Sequence, residues 1–159
     1  MSFPRWLFYA GRREEDMDDH ELVDVAREAT GNAHVPYSEY RVGASLLTAD
    51  GTVFTGCNIE NANYSNSLHA EEVAIAEAVK NDHHDFVAIA VSSSARDGVT
   101  PCGMCRQTLA EFCDEDFPVY CDEGENEDGT EEISEYALGD LLPNTISLDT
   151  LEAARSERQ

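Results

Sequence analysis

The sequence feature that most constrains this chain is a histidine followed, further along the chain, by a closely spaced pair of cysteines. His69 and the pair Cys102 and Cys105 supply one imidazole and two thiols. These are the donors that a tetrahedral Zn²⁺ takes when its fourth position is left for water. Glu71 lies two residues beyond the histidine, too close in sequence to be an independent ligand but well placed to carry a proton. The spacing therefore predicts a zinc site with an adjacent carboxylate.

The alternative interpretation of these residues is a core histidine with two inert cysteines. A lone C-x-x-C is ambiguous, because it also occurs in redox pairs and in structural zinc sites. The sequence contains no second C-x-x-C or C-x-x-H that would complete a four-ligand structural site. His-x-Glu followed by Pro-Cys-x-x-Cys, which begins here at Pro101, is the signature of zinc-dependent nucleobase deaminases. We therefore interpret the site as catalytic.

Charge is the most extreme property of the composition. The chain carries a net charge of −23, with 33 acidic residues and with Lys80 as its only lysine. Such a surface repels itself at low ionic strength, and salt must screen it. The acids are spread along the chain as well as concentrated in 114–135, which favours a halophilic protein in a salt-rich cytoplasm over an acidic interaction face. The scarcity of basic residues argues against a polynucleotide substrate.

Length and hydropathy predict one domain. A chain of 159 residues can bury a large core, and no apolar run is long enough to span a membrane. We expect a single catalytic domain over 17–159 and an N-terminal extension over 1–16, whose aromatic cluster and paired arginines do not resemble a signal peptide. This extension could pack on the surface of the domain or on a partner subunit. Alternatively, the natural protein starts at Met17. Three further cysteines are expected to be buried and reduced, and a disulfide between two of them is the alternative. These are Cys57, Cys113 and Cys121.

Hydrophobic periodicity predicts a three-layer α/β/α fold with a mixed five-stranded sheet flanked by helices. The residues from 68 to 81 are apolar on nearly every side, which predicts a fully buried helix. The acidic segment 122–129 is predicted to be a loop, and Pro101 to be a first-turn proline. The predicted elements are helices over 18–29 and 68–81, from 101 and from 149, and strands over 41–48, 53–59, 86–91, 117–121 and 130–133. Two helix N-termini are expected to converge on the metal.

Four stretches of this chain, residues 35–44, 56–62, 69–71 and 101–107, together resemble the cytidine deaminase family. The resemblance implies a small homotetrameric enzyme of pyrimidine salvage with one Zn²⁺ per subunit. Its implied reaction is the hydrolysis of cytidine and deoxycytidine to uridine and deoxyuridine with release of ammonia. Relatives that act on polynucleotides or on deoxycytidylate share the metal pattern but not the Asn-Ile-Glu stretch.

The same resemblance assigns substrate contacts that the residue pattern leaves undecided. From their position alone, Asn58 and Glu60 could belong to a solvated turn at a strand end. In the family, residues at these positions bind the ribose 3′-hydroxyl. The resemblance also places Tyr40 beside the base, where the family usually has Phe, and it places backbone groups of Ala70 and Thr100 at the pyrimidine edge.

Three residues depart from the family pattern. Small tetrameric members commonly have a third cysteine in place of His69 and an arginine in place of Glu72. Zn²⁺ with three thiolates is net negative and benefits from a nearby arginine, whereas one imidazole and two thiolates leave the centre neutral. The two departures therefore explain each other. Ile146 stands where relatives have a phenylalanine that reaches into a neighbouring active site, so base stacking across subunits is expected to be weaker.

The predicted reaction needs one proton carrier with two successive roles. His69, Cys102 and Cys105 hold Zn²⁺, and Glu71 takes a proton from the attacking water before it protonates N3 and the leaving amine. Two other functions stay open at this point. One is deamination of another small aminopyrimidine, such as a nucleoside antibiotic. The other is a zinc-stabilised binding module without turnover.

Overall fold

Five strands form one mixed sheet in the computed structural model, which describes residues 17–94, 98–126 and 128–156. In spatial order the sheet runs β2-β1-β3-β4-β5, with β3 and β4 parallel and every other neighbouring pair antiparallel. The predictions for residues 1–16 lie outside the described residues. The strands are β1 (Val42–Thr48), β2 (Val53–Cys57), β3 (Phe86–Ser93), β4 (Pro118–Glu125) and β5 (Glu131–Ala137).

Helices cover both faces of this sheet, and the predicted three-layer α/β/α class is confirmed. One core cluster joins α1 to β1, β2 and β3, and a second cluster on the opposite face includes residues of α2 and α3. None of the helices in the described part of the chain has the length and hydropathy that crossing a membrane requires. The helices are α1 (Asp19–Ala29), α2 (Ala70–Lys80), α3 (Gly103–Leu109), α4 (Leu138–Leu141) and α5 (Leu148–Ser156).

Two glycines allow the helices to approach the sheet closely. A Cβ atom on Gly56 of β2 would lie 2.0 Å from the carbonyl oxygen of Ala70, at the start of α2. On the opposite face, a Cβ atom on Gly43 of β1 would lie 2.1 Å from the carbonyl oxygen of Ala26 in α1. Both distances are far below van der Waals contact, so only glycine is compatible with these helix positions. Gly56 thereby sets the distance between the sheet and the first turn of α2.

Several predicted elements differ from the structure in extent or environment. Strand β2 ends at Cys57 and not at Ile59, and β3 continues to Ser93. Strand β4 continues to Glu125 through part of the segment predicted to be a loop, and β5 continues to Ala137. Helix α2 is not buried on nearly every side, because Ala76 is exposed and Val73 is half-buried in the single chain. The short helix α4 was not predicted from the sequence.

A buried carboxylate explains why β4 continues into the acidic segment. Asp122 is only 7% exposed and accepts hydrogen bonds from Arg27 Nε at 2.8 Å and Nη2 at 2.7 Å, and from Ser92 Oγ at 2.6 Å. Arg27 also bonds to Asp24 at 3.1 Å and to Glu131. Burial acts to raise the pKa of Asp122, but the hydrogen bonds from Arg27 and Ser92 outweigh it and hold this pKa below its usual range. The side-chain charge is therefore paired inside the fold.

Asp122→Asn is expected to lower the free energy of unfolding by about 2–3 kcal/mol at about pH 7, because it removes charge-assisted hydrogen bonds to Arg27. The folded-state pKa of Asp122 is depressed, so its stabilisation is present above the unfolded-state pKa of about 4 and is lost as pH falls through the folded-state pKa. The difference between wild type and variant should therefore shrink in acid. Urea unfolding at about pH 7 and about pH 3 in equal salt measures both differences. An equal difference at the two pH values would contradict the ion pair.

Candidate active site

The first metal-ligand candidate lies at the N-terminus of α2. His69 is the N-cap residue, with extended backbone angles, and its carbonyl oxygen accepts the first helical hydrogen bond from Val73 N at 3.0 Å. The side chain of Glu72 turns back toward the backbone N–H of His69, with Oε2 at 3.3 Å. Leu68, just before, forms a two-hydrogen-bond bridge with Ile59. These contacts fix the backbone on both sides of His69.

The two cysteines lie in the first turn of α3. Cys102 is the N-cap residue, and its sulfur accepts a hydrogen bond from the backbone N–H of Cys105 at 3.4 Å. Pro101 therefore precedes the cap and is not the first-turn proline that the sequence predicted. Helices α2 and α3 both begin at one edge of the sheet, because the segments after β2 and β3 lead into them there. This topology brings the two chain segments together.

Three donor atoms converge between these helix N-termini. His69 Nδ1 lies 3.2 Å from the Sγ atoms of both Cys102 and Cys105, and the two sulfurs are 3.3 Å apart. Both cysteines are free thiols. Zn–S bonds of about 2.3 Å and Zn–N bonds of about 2.0 Å need donor separations only a few tenths of an ångström larger. Within the described residues, this is the one group of three or more such side chains close enough to hold a metal ion. The donor set fits zinc.

Glu71 is the buried acid of the site. Its side chain is 4% exposed and interacts with Cys105. Burial raises the pKa of Glu71, and the interaction with Cys105 and the proximity of His69 act against that change. Burial, the charge of Glu71 and the hydrogen bond to Cys102 raise the pKa of the Cys105 thiol in the metal-free protein. A carboxyl group with a raised pKa beside a metal site is suited to accept and return a proton.

Asn58 and Glu60 are fixed in place by backbone contacts with the preceding loop. Asn58 Nδ2 donates to the Tyr40 carbonyl oxygen at 2.7 Å, and Asn58 Oδ1 accepts from Val42 N at 2.9 Å. Glu60 Oε2 accepts from the N–H groups of Tyr37 and Ser38 at 2.9 and 3.2 Å. An amide and a carboxylate each offer more hydrogen-bonding positions than these contacts use. Both side chains therefore remain able to bind a hydroxyl group.

The other predicted substrate contacts have defined surroundings. Tyr40 is half-buried and its amide donates to Ser38 Oγ at 3.0 Å. Ala70 is fully buried and forms the first residue of α2, directly after the candidate ligand His69. Thr100 lies just before Pro101, and its hydroxyl accepts a hydrogen bond from Arg106. The two backbone contacts predicted for the pyrimidine thus lie next to the two metal-ligand segments.

Sequence reasoning missed the role of Arg106 in this region. The guanidinium group hydrogen bonds to three different residues around the cysteine segment. The position of Arg106 directly after Cys105 does not indicate which groups its guanidinium contacts, because the partners of a long side chain depend on tertiary structure. Three of the other histidines pair with acids away from the ligands: His20 with Glu131, His83 with Asp50 and His84 with Asp82. The backbone of His34 bonds to that of Asn58 and Glu60.

Known proteins match most of this chain. The model of the cytidine and deoxycytidylate deaminase zinc-binding region matches residues 16–121. A cytidine deaminase of Sporosarcina psychrophila is 40% identical over 89% of this chain and 100% of its own length. That of Halalkalibacterium halodurans is 39% identical over 85% of this chain and 98% of its own length. The crystal structure of cytidine deaminase from Burkholderia pseudomallei superposes with a TM-score of 0.73 and 37% identity, covering 82% of this chain and 100% of that one.

Proposed function

Because the chain belongs to the cytidine and deoxycytidylate deaminase family, we propose that it hydrolyses cytidine and deoxycytidine to uridine and deoxyuridine with release of ammonia. Zinc is the cofactor, one ion per subunit, and His69, Cys102 and Cys105 are its proposed ligands. The observation that carries this proposal is the buried carboxylate of Glu71 beside a donor set that leaves one zinc position for water. A closed structural zinc site has no need of such an acid.

The residues divide the reaction between them. Bound by the three donors, zinc would lower the pKa of a water molecule to about 7. Glu71 would take one proton from the attacking water molecule, whose oxygen atom bonds to C4 of the base. Glu71 then gives this proton to N3, takes the proton of the new hydroxyl group on C4 and gives it to the exocyclic amine, which leaves as ammonia when the C4–N bond breaks and C4 becomes a carbonyl carbon. Backbone groups of Ala70 and Thr100 orient the pyrimidine, and Tyr40 lies beside it.

The ribose is proposed to bind Asn58 and Glu60. Glu60→Gln is expected to raise the KM for cytidine by about 10- to 100-fold, because it replaces a charge-assisted hydrogen bond to the ribose hydroxyl with a weaker neutral one. Zinc content should stay unchanged, since Glu60 contacts the 37–38 backbone and not the donor atoms. Steady-state kinetics and metal analysis measure the two quantities. Glu77→Gln, at the other end of α2, is the control. An unchanged KM, or loss of zinc, would refute this role.

The function is tested by mixing zinc-loaded protein with cytidine in high salt and following the loss of cytidine absorbance and the release of ammonia. Turnover of cytidine and deoxycytidine is expected. Turnover of only another aminopyrimidine nucleoside would favour the alternative of a different small substrate. Zinc binding without ammonia from any of these compounds would favour a binding module. The same preparation also tests the oligomeric state and the salt dependence described next.

A homotetramer is the proposed assembly. On the single chain, Ala76 of helix α2 is exposed. Five large apolar side chains near the ligand segments are exposed as well. Contact with further copies of the chain would cover these apolar side chains. Light scattering after gel filtration measures the mass, and a monomeric active enzyme would contradict this assembly. The five side chains are Tyr37, Ile59, Tyr64, Leu68 and Met104.

A halophilic, cytoplasmic protein with an N-terminal extension is proposed from the remaining features. The net charge of −23 supports a requirement for salt, because counterions must screen repulsion between the acids. The family match that begins at residue 16 supports a catalytic domain over 17–159 preceded by an extension over 1–16. Equal stability and activity in dilute buffer and in molar KCl would contradict the halophilic proposal. Intact mass of the natural protein tests whether Met17 is the start.

A further inference from the structure

Arg106 uses all three guanidinium nitrogens within the region of the metal ligands. Its Nε donates to the Pro101 carbonyl oxygen at 2.6 Å, and its Nη2 donates to Thr100 Oγ1 at 3.0 Å. Its Nη1 donates to the Leu141 carbonyl oxygen at 2.7 Å. The planar guanidinium group holds its donors in a fixed arrangement, so three simultaneous hydrogen bonds define the relative positions of their acceptors. A lysine ammonium group could not reproduce this geometry.

Two of the three acceptors, the Thr100 hydroxyl and the Pro101 carbonyl oxygen, belong to the segment that leads into the cysteine pair. Thr100 and Pro101 immediately precede Cys102, and Pro101 is almost fully buried. The backbone N–H of Arg106 also donates to the Cys102 carbonyl oxygen at 3.0 Å, which closes the first turn of α3. One residue therefore fixes the backbone on both sides of the first thiol. The third acceptor, Leu141, connects this segment to α4.

Arg106 also supplies positive charge where the site is rich in acidic groups. Among the arginine and lysine side chains that the structure describes, it is the one that hydrogen bonds to the 100–105 segment. The proposed zinc ligands Cys102 and Cys105 and the acids Glu71 and Glu72 lie in this region. The guanidinium charge of Arg106 therefore lies next to the segment that supplies both thiols.

We propose that Arg106 is a positioning residue for both metal and substrate: through its hydrogen bonds to the Thr100 hydroxyl and the Pro101 carbonyl oxygen, it holds the Thr100 backbone at the pyrimidine edge and the Cys102 thiol in the geometry that zinc requires. Residues that orient metal ligands through hydrogen bonds commonly affect metal affinity or activity by about 10- to 100-fold. The inference depends on the zinc site proposed above. It adds a residue that touches neither the metal nor the substrate with its side chain.

Two variants test this role. Arg106→Gln removes the charge and at least one hydrogen bond, and Arg106→Lys keeps the charge but loses the three-donor geometry. We expect zinc affinity, measured by competition with a chromophoric chelator, to fall by about 10- to 100-fold in Arg106→Gln. At saturating zinc, the KM for cytidine should rise in both variants, because the Thr100 backbone is no longer held. Arg106→Lys should lose less zinc affinity than Arg106→Gln.

Arg27→Gln is the matched control. Arg27 also makes a network of hydrogen bonds, but on the α1 face of the sheet, away from the ligands. This variant should lower thermal stability while zinc affinity and KM stay at wild-type values. If both Arg106 variants behave in the same way as Arg27→Gln, the role of Arg106 is only structural and the proposal is overturned. If the wild-type protein binds no zinc in the same titration, the proposed zinc site is wrong, and this result is distinct from a failure of the Arg106 proposal alone.

Discussion

Glu71→Gln should lower the turnover of cytidine by about 10²- to 10⁴-fold, the usual contribution of a general acid-base residue, while zinc and the fold are retained. Glutamine has nearly the same shape as glutamate but cannot accept and return a proton at neutral pH. Because Glu71 is 4% exposed, an isosteric amide fills the same space. The loss should appear in kcat at saturating zinc and not in metal content.

Three measurements on one preparation separate chemistry from structure in this variant. Steady-state kinetics gives kcat, metal analysis gives zinc per chain, and thermal unfolding gives stability. Glu77→Gln, an exposed acid on the same helix that pairs with Lys80, is the control and should keep wild-type turnover. A kcat within a few-fold of wild type in Glu71→Gln would mean that another group transfers the protons.

Gly56→Ala should lower the free energy of unfolding by more than about 3 kcal/mol, beyond the usual range for an overpacked site. The added methyl group would overlap backbone atoms of α2, with 2.0 Å to the carbonyl oxygen of Ala70 and 2.5 Å to the amide nitrogen of Ala74. Backbone cannot rotate away as a flexible side chain can, so α2 must move as a unit. Because His69 directly precedes Ala70, we also expect weaker zinc binding in the fraction that folds.

Gly31→Ala is the matched control for this substitution. No atom lies within 4 Å of the position that its Cβ would take, so the same chemical change should alter stability by no more than about 1 kcal/mol. Urea unfolding of both variants at equal salt gives the comparison. If Gly56→Ala were as stable as Gly31→Ala, the close approach between the sheet and α2 would not exist in solution.

The family and fold class could be predicted from the sequence because their signals are local. His69, Cys102 and Cys105 belong to short motifs with fixed spacing, and the strands and helices follow from the period of the apolar residues. The predicted convergence of two helix N-termini is confirmed for α2 and α3. The roles of the individual site residues stay predictions until the variants are measured.

The extent of β4 could not be predicted, because its cause lies far away in the chain. An acidic segment normally indicates a loop, and only the contacts of Asp122 with Arg27 and Ser92 make that carboxylate compatible with a buried strand. These partners are 95 and 30 residues away in sequence. The contacts of Arg106 with Leu141 are likewise set by the fold. Local composition contains no information about such pairs.

Helix α3 illustrates a smaller error of the same kind. Pro101 fits either the first turn of a helix or the residue before its cap, and both positions are common for proline. The sulfur of Cys102 decides between them by accepting the Cys105 N–H and acting as the cap. A sequence rule that treats cysteine as a poor cap residue misses this alternative.

Strand β5 forms a border of the sheet, and its composition has a consequence for colloidal behaviour. A border strand presents unpaired backbone groups to which a strand of another molecule can bond, and charged side chains oppose such aggregation. Three of the seven residues of β5 are glutamates, namely Glu131, Glu132 and Glu135. These glutamates repel those of a neighbouring molecule, and this repulsion decreases when protonation brings the chain near its isoelectric point of about 4.2. Acid precipitation should therefore begin by strand pairing at this border, and infrared spectra of the precipitate should show new intermolecular β-structure if it does.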